Sequence, residues 1–348
     1  MIRRTALIFR CLPASIAVAA ALLATSASAS VLYNFDTLNN SDDPNFNQLL
    51  GISSTPSPTI TGYFGDGTIV DNKGYTLVQP YNKQASYTNE NFPGSVQTQV
   101  TGITPNGSTA TVGFYIDGNG NNIGFVDQSG TFTSVSNPST PVVTPSVNQL
   151  LGVNDSGVAA GFYVDALGNA HGYTYNINTK TFTAVNMPGS FNAVSTTVTG
   201  INDAGVITGF YTDSGGATHG FVDKGGTFSS FDDPGGTDTM FFGINANDQV
   251  VGSFLGGTGE TEGLLFNYLT DSFQTINDPL ASATPAFLVT GTTINGINNA
   301  GDLVGFYSDG THVDGFLATP TPEPAMMGLL LMGAALLVGK HWYKRERG

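Results

Sequence analysis

The sequence predicts an all-β fold, a six-bladed β-propeller of four-stranded repeats about 48 residues long, closed by the N-terminal strand. Three observations predict this architecture. A glycine followed by an apolar residue recurs six times, neighbouring strand residues are both apolar, and the last repeat lacks a strand that the N-terminal residues can supply. The predicted domains are a signal peptide at 1–29, the propeller at 30–318, and a segment at 319–348 with a single membrane helix at 325–339.

The repeats are marked by a glycine-led dipeptide whose copies are spaced 51, 50, 48, 43 and 53 residues apart. The clearest copy, residues 199–235, has room for four short strands. Its segment Asn202-Asp203-Ala204-Gly205 is typical of a hairpin turn in which the last glycine takes a positive φ. We expect the same turn at 154–157 and 298–301. The dipeptides are Gly51-Ile52, Gly102-Ile103, Gly152-Val153, Gly200-Ile201, Gly243-Ile244 and Gly296-Ile297.

Side-chain periodicity favours propeller blades over a sheet with one wet face. Successive residues of a strand point to opposite faces, so a half-exposed sheet alternates apolar and polar residues. Here Phe114-Tyr115, Phe162-Tyr163 and Phe210-Tyr211 are adjacent apolar pairs, which indicates that both faces of each unit are covered by neighbours. The glycines before the aromatic pairs are expected to let blades approach closely; they are Gly113, Gly161, Gly209 and Gly305.

The two ends of the repeat region complement each other. The sixth unit stops after its third strand, Gly315 to Ala318, and residues Val31 to Asp36 match the fourth-strand pattern of 227–232. We therefore expect the N-terminal strand to pair into the last blade, because this closes the ring and removes an exposed edge. The alternative folds are a β-solenoid, whose repeats are usually shorter, and a double-sheet sandwich, which would not need six copies.

The N-terminal residues have the order of a secretory signal peptide. Three arginines precede the apolar run Leu12 to Ala24, and Ala27-Ser28-Ala29 provides the small residues that signal peptidase requires. Cleavage after Ala29 would also remove Cys11, the single cysteine, so the mature chain would have no disulfide and no cysteine metal site. Signal peptidase and the export machinery are the expected partners. The arginines are Arg3, Arg4 and Arg10.

The C-terminal residues combine a proline-rich motif, an apolar run and a basic end. Pro322-Glu323-Pro324 precedes fifteen uncharged residues, 325–339, which span roughly 22 Å as a helix against roughly 30 Å of bilayer hydrocarbon. Clustered basic residues stay cytoplasmic, so the propeller side would face outward. The membrane stop signal consists of Lys340, Lys344, Arg345 and Arg347.

This C-terminal order resembles the PEP-CTERM sorting signal of Gram-negative bacteria, whose Pro-Glu-Pro motif is here Pro322, Glu323 and Pro324. The resemblance implies an exosortase-type transpeptidase as partner. It also implies an exported protein, anchored in the inner membrane by the C-terminal helix before processing and then located at the cell surface or outside the cell. The alternative is a plain tail anchor that is never cut.

The repeats resemble the HAF-type extracellular repeats, which are named for a His-Ala-Phe motif. The matching segments are His171-Gly172-Tyr173 and His219-Gly220-Phe221, with glycine in place of alanine. Other copies have Lys73, Ile123, Glu262 or Asp314 at the histidine position. The resemblance implies an exported bacterial protein and brings no activity with it.

The net charge of the propeller domain, residues 30–318, limits the kinds of partner that it can bind. Without the two terminal segments, four lysines and about twenty-four acidic residues remain, a net charge near −20. Nucleic acid and anionic lipid require clustered Lys and Arg, so we expect neither as a partner. Cations and neutral glycans, including extracellular polysaccharide, remain open. The lysines are Lys73, Lys83, Lys180 and Lys224.

Two sets of side chains are candidate metal or acid-base groups. His171 and His219 share one repeat position, where a role in the loop is the alternative to metal binding or catalysis. The aspartates that end the second strands either cap turns or bind calcium. The most EF-hand-like stretch is Asp117, Asn119 and Asn121, although it lacks the closing glutamate. The repeated aspartates are Asp66, Asp117, Asp165, Asp213 and Asp309, with Asp232, Asp233 and Asp278 at the ends of fourth strands.

Three classes of function follow. No catalytic or cofactor motif is present, so we expect no enzyme and no cofactor, calcium aside. A surface or matrix protein that acts by binding or as structure is the leading hypothesis. A glycan-binding propeller would use exposed aromatics, and a hydrolase or lyase acting on polysaccharide would need carboxylates or both histidines in one pocket. The aromatics to test for exposure are Tyr81, Tyr87, Phe241 and Phe242.

Overall fold

The computed structural model describes residues 31–321, which form six four-stranded antiparallel sheets. The six-bladed propeller predicted from the repeats is confirmed. Blade 1 comprises β2 (Asn47–Ile52), β3 (Ile60–Phe64), β4 (Lys73–Leu77) and β5 (Tyr87–Asn89), with a 3-10 turn at Gln84–Ser86. Blade 2 comprises β6 (Gln97–Ile103), β7 (Thr111–Ile116), β8 (Asn122–Gln128) and β9 (Thr131–Val135). Blade 3 comprises β10 (Asn148–Val153), β11 (Val158–Val164), β12 (Ala170–Asn176) and β13 (Thr181–Ala184), followed by a 3-10 turn at Gly189–Phe191.

The remaining strands form three further blades. Blade 4 comprises β14 (Ala193–Ile201), β15 (Ile207–Asp213), β16 (Thr218–Lys224) and β17 (Thr227–Phe231). Blade 5 comprises β18 (Gly236–Ile244), β19 (Gln249–Gly256), β20 (Thr261–Asn267) and β21 (Ser272–Thr275). Blade 6 comprises β22 (Thr292–Ile297), β23 (Leu303–Ser308), β24 (Val313–Pro320) and β1 (Tyr33–Thr37).

The ring closes through the N-terminal strand, as predicted. β1 pairs antiparallel with β24, so that Phe35 lies opposite Ala318 and Asp36 lies opposite Leu317. The Phe35 ring lies 5.3 Å from the ring of Phe316, a fully buried residue of β24. Blade 6 therefore consists of three strands from the end of the domain and one from its beginning.

An inner ring of glycines surrounds the propeller axis. The register of each inner strand shifts at a β-bulge just before its glycine. A Cβ atom on Gly102 would lie 2.8 Å from the carbonyl oxygen of Leu151 and 3.1 Å from the Cα of Gly152. Because the blades touch through their backbones here, only a residue without a Cβ fits. The ring consists of Gly51, Gly102, Gly152, Gly200, Gly243 and Gly296, and the last approaches the first.

The glycines expected to allow close contact between blades have a different role. A Cβ on Gly113 would meet the carbonyl oxygen of Gln99, and one on Gly209 would meet that of Thr197. Both carbonyls belong to the inner strand of the same blade, beside its bulge. The expectation for Gly113, Gly161, Gly209 and Gly305 was therefore wrong, because a repeat pattern locates a glycine but not the neighbour that it faces.

The predicted hairpin turns have the expected backbone. Gly157, Gly205 and Gly301 have φ values of 72°, 78° and 87°. The asparagines that begin these turns also connect blades: the Asn154 side chain donates to the Asn202 carbonyl oxygen (3.0 Å), and Asn202 donates likewise to Asn245 (3.0 Å). The turns thus tie neighbouring blades together around the axis.

The strand connections lie on two opposite faces. Turns between the first and second strands, and between the third and fourth, lie on one face, which we call the turn face. Connections between second and third strands, and from one blade to the next, lie on the other, which we call the loop face. The Thr321 N–H donates to the Leu32 carbonyl oxygen (2.8 Å) at the turn face.

The predicted signal peptide at 1–29 and the sorting motif, helix and basic residues at 322–348 lie outside the described residues. Within 31–321 no helix has the length and apolar character needed to cross a membrane.

Candidate functional site

The two candidate histidines are held by aspartates of their own blades. His171 lies opposite Tyr163 and stacks on its ring, with the centroids 5.1 Å apart. Its Nε2 is 2.9 Å from Oδ2 of Asp165. This hydrogen bond, with others from the Asn169 region, holds the pKa of Asp165 well below its usual value.

His219 repeats this arrangement in blade 4 with one more partner. It stacks on Tyr211 at 5.0 Å, its Nε2 lies 3.6 Å from Oδ2 of Asp213, and its Nδ1 lies 2.8 Å from Oδ1 of Asp232. Neither histidine belongs to a group of three metal-ligating side chains among the described residues. The two histidines therefore do not form one site.

The repeated aspartates form hydrogen bonds within their own turns. In each case a carboxylate oxygen accepts the backbone N–H two residues later, so the side chain is already occupied in capping the turn. The pairs are Asp66 with Thr68 (3.0 Å), Asp117 with Asn119 (2.8 Å), Asp165 with Leu167 (2.8 Å), Asp213 with Gly215 (2.8 Å) and Asp309 with Thr311 (2.7 Å).

In the EF-hand-like stretch of blade 2, Asp117 likewise accepts hydrogen bonds from its own turn. Asn121 donates through its backbone to Oδ1 of Asp117 (3.0 Å) and through its side chain to Oδ2 (3.0 Å). These bonds hold the pKa of Asp117 below its usual value. Calcium binding by Asp117, Asn119 and Asn121 stays a prediction.

The fourth-strand acids have local partners as well. Asp233 accepts the N–H of Gly235 (2.7 Å) and Asp278 accepts that of Leu280 (2.8 Å). Both side chains are buried, and burial raises the pKa of each carboxyl.

The central channel has a neutral lining on the loop face. Its cavity of about 220 Å³ is lined by the amides of Gln48, Gln99 and Gln149 and by the rings of Phe114 and Phe242. The lining contains no ionisable side chain, so it offers no acid-base chemistry. Phe242 is half-buried here, whereas Phe241 is fully buried in the core.

A larger cavity of about 590 Å³ lies between the outer edges of blades 6 and 1. We call it the 6/1 cleft. One wall is residues 36–38 at the end of β1 and the other is residues 79–82, in the long connection between β4 and β5. Leu317 of β24 forms the floor. The cleft therefore exists only when the N-terminal strand closes the ring.

Tyr81 is the aromatic side chain of this cleft. It is half-buried, and its hydroxyl donates to the carbonyl oxygen of Pro58 (2.6 Å). Burial raises the pKa of Tyr81, and the charge of Asp302 adds to this effect against a hydrogen bond from Gln79. The phenol is therefore neutral at physiological pH, and its ring is held in place by the hydroxyl bond.

The connection that carries Tyr81 is anchored at its far end. The side chain of Gln84 accepts the Ser41 N–H (3.1 Å) and donates to Oδ1 of Asn40 (2.8 Å). Both partners follow β1, so the connection is tied to the strand that closes the ring. Tyr87, also a candidate aromatic, instead packs edge-on against the buried Tyr75 at 5.0 Å and contributes to the core.

One histidine of blade 6 does not occupy the histidine position of the repeat alignment. His312 lies in the turn before β24, two residues ahead of the aligned position at Asp314. With Asp309 it forms the short pattern Asp-x-x-His-x-Asp, a spacing that could have identified the group from the sequence.

No protein-family model matches the chain, and no curated protein matches it. Among solved structures it is similar to TolB from Acinetobacter baumannii, with 12% identity and a TM-score of 0.49, over 76% of this chain and 64% of the TolB chain, less than two thirds of TolB. It is also similar to a fucose-recognising six-bladed lectin from Aleuria aurantia, with 12% identity and a TM-score of 0.48, over 80% and 97% of the two chains. A third similar structure is the SapL1 lectin in complex with α-methyl fucoside, with 8% identity and a TM-score of 0.45, over 83% of this chain and 98% of the lectin chain. Similarity at this level concerns the fold alone.

Proposed function

We propose that the protein is an exported cell-surface or extracellular-matrix protein whose propeller binds a neutral glycan in the 6/1 cleft. The observation that carries the proposal is the lining of this cleft, where the Tyr81 ring lies with the amides of Gln79 and Asn82 and the carboxylate of Asp36. Its volume of about 590 Å³ is within the range of about 300–1,000 Å³ that is typical of ligand pockets.

The lining matches the two kinds of surface on a sugar. An aromatic ring offers apolar area to the C–H face of a sugar ring. Amide side chains both donate and accept hydrogen bonds, and a carboxylate accepts them from hydroxyl groups. None of the lining residues is cationic, so an anionic ligand would be repelled by Asp36 without compensation.

The same lining favours binding over hydrolysis. Glycoside hydrolysis uses two carboxyl groups on opposite sides of the bond that is cleaved. Asp36 is the single carboxylate among the residues that line the cleft, and it is exposed. A ligand held there would meet hydrogen-bonding groups but no acid-base pair.

A glycan array probed with the full-length chain, followed by calorimetry on the glycans that bind, tests this proposal. We expect Tyr81→Ala to weaken binding at least tenfold, which corresponds to about 1.4 kcal/mol. Tyr268→Ala is the matched control, because Tyr268 is also half-buried and donates its hydroxyl, to Asp248 at 2.7 Å, but lies in blade 5. Equal affinity for both variants, or no glycan bound at all, would contradict the proposal.

For delivery, we propose that residues 319–348 act as a sorting signal read by an exosortase-type transpeptidase. The support is the joint order of Pro322-Glu323-Pro324, the short apolar run and the basic end. Mass spectrometry of the C-terminal peptide from native cells should find residues after about 324 missing, and Glu323→Ala should leave an uncut chain in the membrane. A full-length C-terminus as the dominant species would instead indicate a plain anchor.

A further inference from the structure

Blade 6 brings three metal-ligating side chains together on the loop face. Asp309 follows β23, His312 precedes β24, and Asp314 is the second residue of β24. One ligand atom from each side chain lies within 4.8 Å of the other two. His312 Nδ1 is 3.0 Å from Oδ2 of Asp309. Among the described residues this is the one group of three such side chains that converge.

Asp314 anchors the group at the edge of the core. It is 8% exposed, lies opposite Tyr307 and accepts a hydrogen bond from the side-chain amide of Asn39. Burial raises the pKa of Asp314, and the charge of Asp309 raises it further. A buried carboxylate beside a second carboxylate is stabilised when a cation lies between them.

A third carboxylate, Asp278 in the connection from blade 5 to blade 6, has one oxygen without a partner. Asp278 is 4% exposed, and its Oδ2 has no hydrogen-bond partner in the structure. Its backbone N–H donates to Thr292 Oγ1 (3.0 Å), and Thr292 lies opposite Tyr307, whose other neighbour across the sheet is Asp314. Burial raises the pKa of Asp278, and the charge of Asp314 adds to this effect.

Among residues 31–321, no lysine forms an ion pair with these carboxylates. Lys73 makes the single lysine ion pair there, with Asp71 of blade 1 at 3.8 Å. His312 is the cationic partner available in blade 6, and it is 44% exposed. The Oδ2 of Asp278 has no partner, as is also true of Asp233 at the equivalent position of blade 4, while Oδ1 of each accepts a backbone N–H.

The equivalent sites in blades 3 and 4 do not converge in this way. In blade 3, His171 has one carboxylate, Asp165. In blade 4, Asp213 and Asp232 approach opposite nitrogens of the His219 ring. The imidazole therefore separates the two carboxylates, and the three side chains do not face one common point. The difference arises because the blade 6 histidine lies in the turn and a carboxylate occupies the strand position.

We propose that Asp309, His312 and Asp314 bind a divalent transition-metal ion of the Zn²⁺ or Mn²⁺ class. An imidazole nitrogen together with carboxylate oxygens suits these ions, whereas Ca²⁺ and Mg²⁺ prefer oxygen ligands alone. Three protein ligands leave a coordination position open to water or to a ligand on the loop face. The ion neutralises the cluster and crosslinks the β23–β24 turn to the core.

Titration of the metal-free, full-length chain with Zn²⁺ by calorimetry, and thermal unfolding with and without Zn²⁺, test the site. We expect saturable binding of one ion and a rise in Tm of about 5 °C at Zn²⁺ concentrations well above Kd. His312→Ala should weaken binding at least a hundredfold and abolish the rise in Tm. His171→Ala is the matched control and should change neither result.

A second variant distinguishes loss of metal binding from loss of folding. Asp309→Asn keeps the acceptor oxygen that caps the turn but removes a charged ligand, so it should weaken Zn²⁺ binding at least tenfold while the Tm without metal changes little. Absence of saturable binding would overturn the proposal. So would equal loss of affinity in His171→Ala and His312→Ala, since that result would indicate scattered surface histidines. A rise in Tm with Ca²⁺ equal to that with Zn²⁺ would also overturn it.

Discussion

Blades 1 and 4 are alike near the axis and different at their outer edges. In both, the inner strand has a bulge just before a glycine of the axial ring, Gly51 or Gly200. At the outer edge, blade 4 joins its last two strands through Gly225-Gly226, whereas blade 1 uses residues 78–86 and forms one wall of the 6/1 cleft. Backbone contact between blades restricts the inner half, so insertions that create a binding surface are tolerated only outside it.

Blade 1 also differs at one core position. Glu90 donates its N–H to Gly74 (2.9 Å), just as Val185 donates to Gly172 (2.9 Å) and Ile276 to Gly263 (2.8 Å). The equivalent residue in these other blades is apolar and buried. Glu90 is buried too, with the Thr111 hydroxyl donating to its carboxyl group. A repeat position that elsewhere holds hydrocarbon thus holds an ionisable group here.

The largest effect is expected when the shared ring is opened. Deleting residues 31–38 removes β1, exposes the edge of β24 and uncovers Phe316. Loss of the buried Leu38 and the packed Phe35 alone should lower the free energy of unfolding by roughly 3–6 kcal/mol. Chemical denaturation measures this. Asn34→Ala, at an exposed position of the same strand, is the control and should be nearly neutral.

A smaller effect tests the restriction on the inner half. Gly102→Ala places a Cβ 2.8 Å from the Leu151 carbonyl oxygen and should cost about 2–3 kcal/mol of stability, because two blade backbones must separate. Gly118→Ala is the matched control, since nothing lies within 4 Å of the added atom. If both substitutions had the same small effect on denaturation midpoints, the axial ring would not restrict the blades as described.

A pH-dependent effect sharpens the contrast at Glu90. Burial raises the pKa of Glu90 to about 7, with the charge of Asp127 adding to it and the Thr111 hydrogen bond opposing it. The native state keeps a proton that the unfolded chain loses above pH about 4.5, so this contribution to stability is lost as pH rises towards 7. Glu90→Leu should remove this decrease in the free energy of unfolding, which is about 2–3 kcal/mol, and should therefore stabilise the protein at pH 8.

Unfolding followed over a range of pH measures this difference. Asp42→Asn, at an exposed acid, should leave the pH profile of the parent protein unchanged. A profile for Glu90→Leu with the same slope as the parent between pH 5 and 7 would show that Glu90 is not the group responsible.

The smallest effect concerns the aspartate turns after the second strands, which blades 1 and 4 share. The repeated aspartates already accept backbone N–H bonds, so we expect millimolar Ca²⁺ and Mg²⁺ to change the Tm equally at matched ionic strength. A rise specific to Ca²⁺ would support calcium binding by the second-strand aspartates. Asp117→Asn, which keeps an acceptor oxygen, should then abolish that rise.

Patterns that repeat could be predicted from the sequence, and contacts between non-equivalent residues could not. The six glycine-led repeats and their adjacent apolar pairs were sufficient to predict the number of blades. The absence of a fourth strand from the sixth repeat was sufficient to predict which strand closes the ring. Spacing does not distinguish a neighbouring blade from the adjacent strand, so the contact of Gly113 with its own inner strand could not be predicted. The sequence identifies Tyr81 as an aromatic to test for exposure, but no spacing predicts that Asp36, in another blade, lines the same cleft.

Repetition also concealed the metal-ligating group in blade 6. The repeat alignment compares Asp314 with His171 and His219, whereas the relevant histidine of blade 6 is two residues earlier. The unpartnered oxygen of Asp278 recurs at Asp233, the equivalent Asp-Pro position of blade 4, so this feature follows the repeat. Sites that depend on departures from the repeat need coordinates to be recognised.

Pairing of the first strand with the last makes the order of synthesis important. Of the strands of the propeller, residues 33–37 are synthesised first, and the strand that they pair with, ending at Pro320, is synthesised last. Blades 1 to 5 can each form from a contiguous segment, but blade 6 joins residues almost a whole domain apart, and contacts of such long range form slowly in folding. A chain that stops before β24 is left as an open arc with two unpaired edges, accessible to proteases and to other chains. Closure of the ring therefore distinguishes complete from incomplete chains.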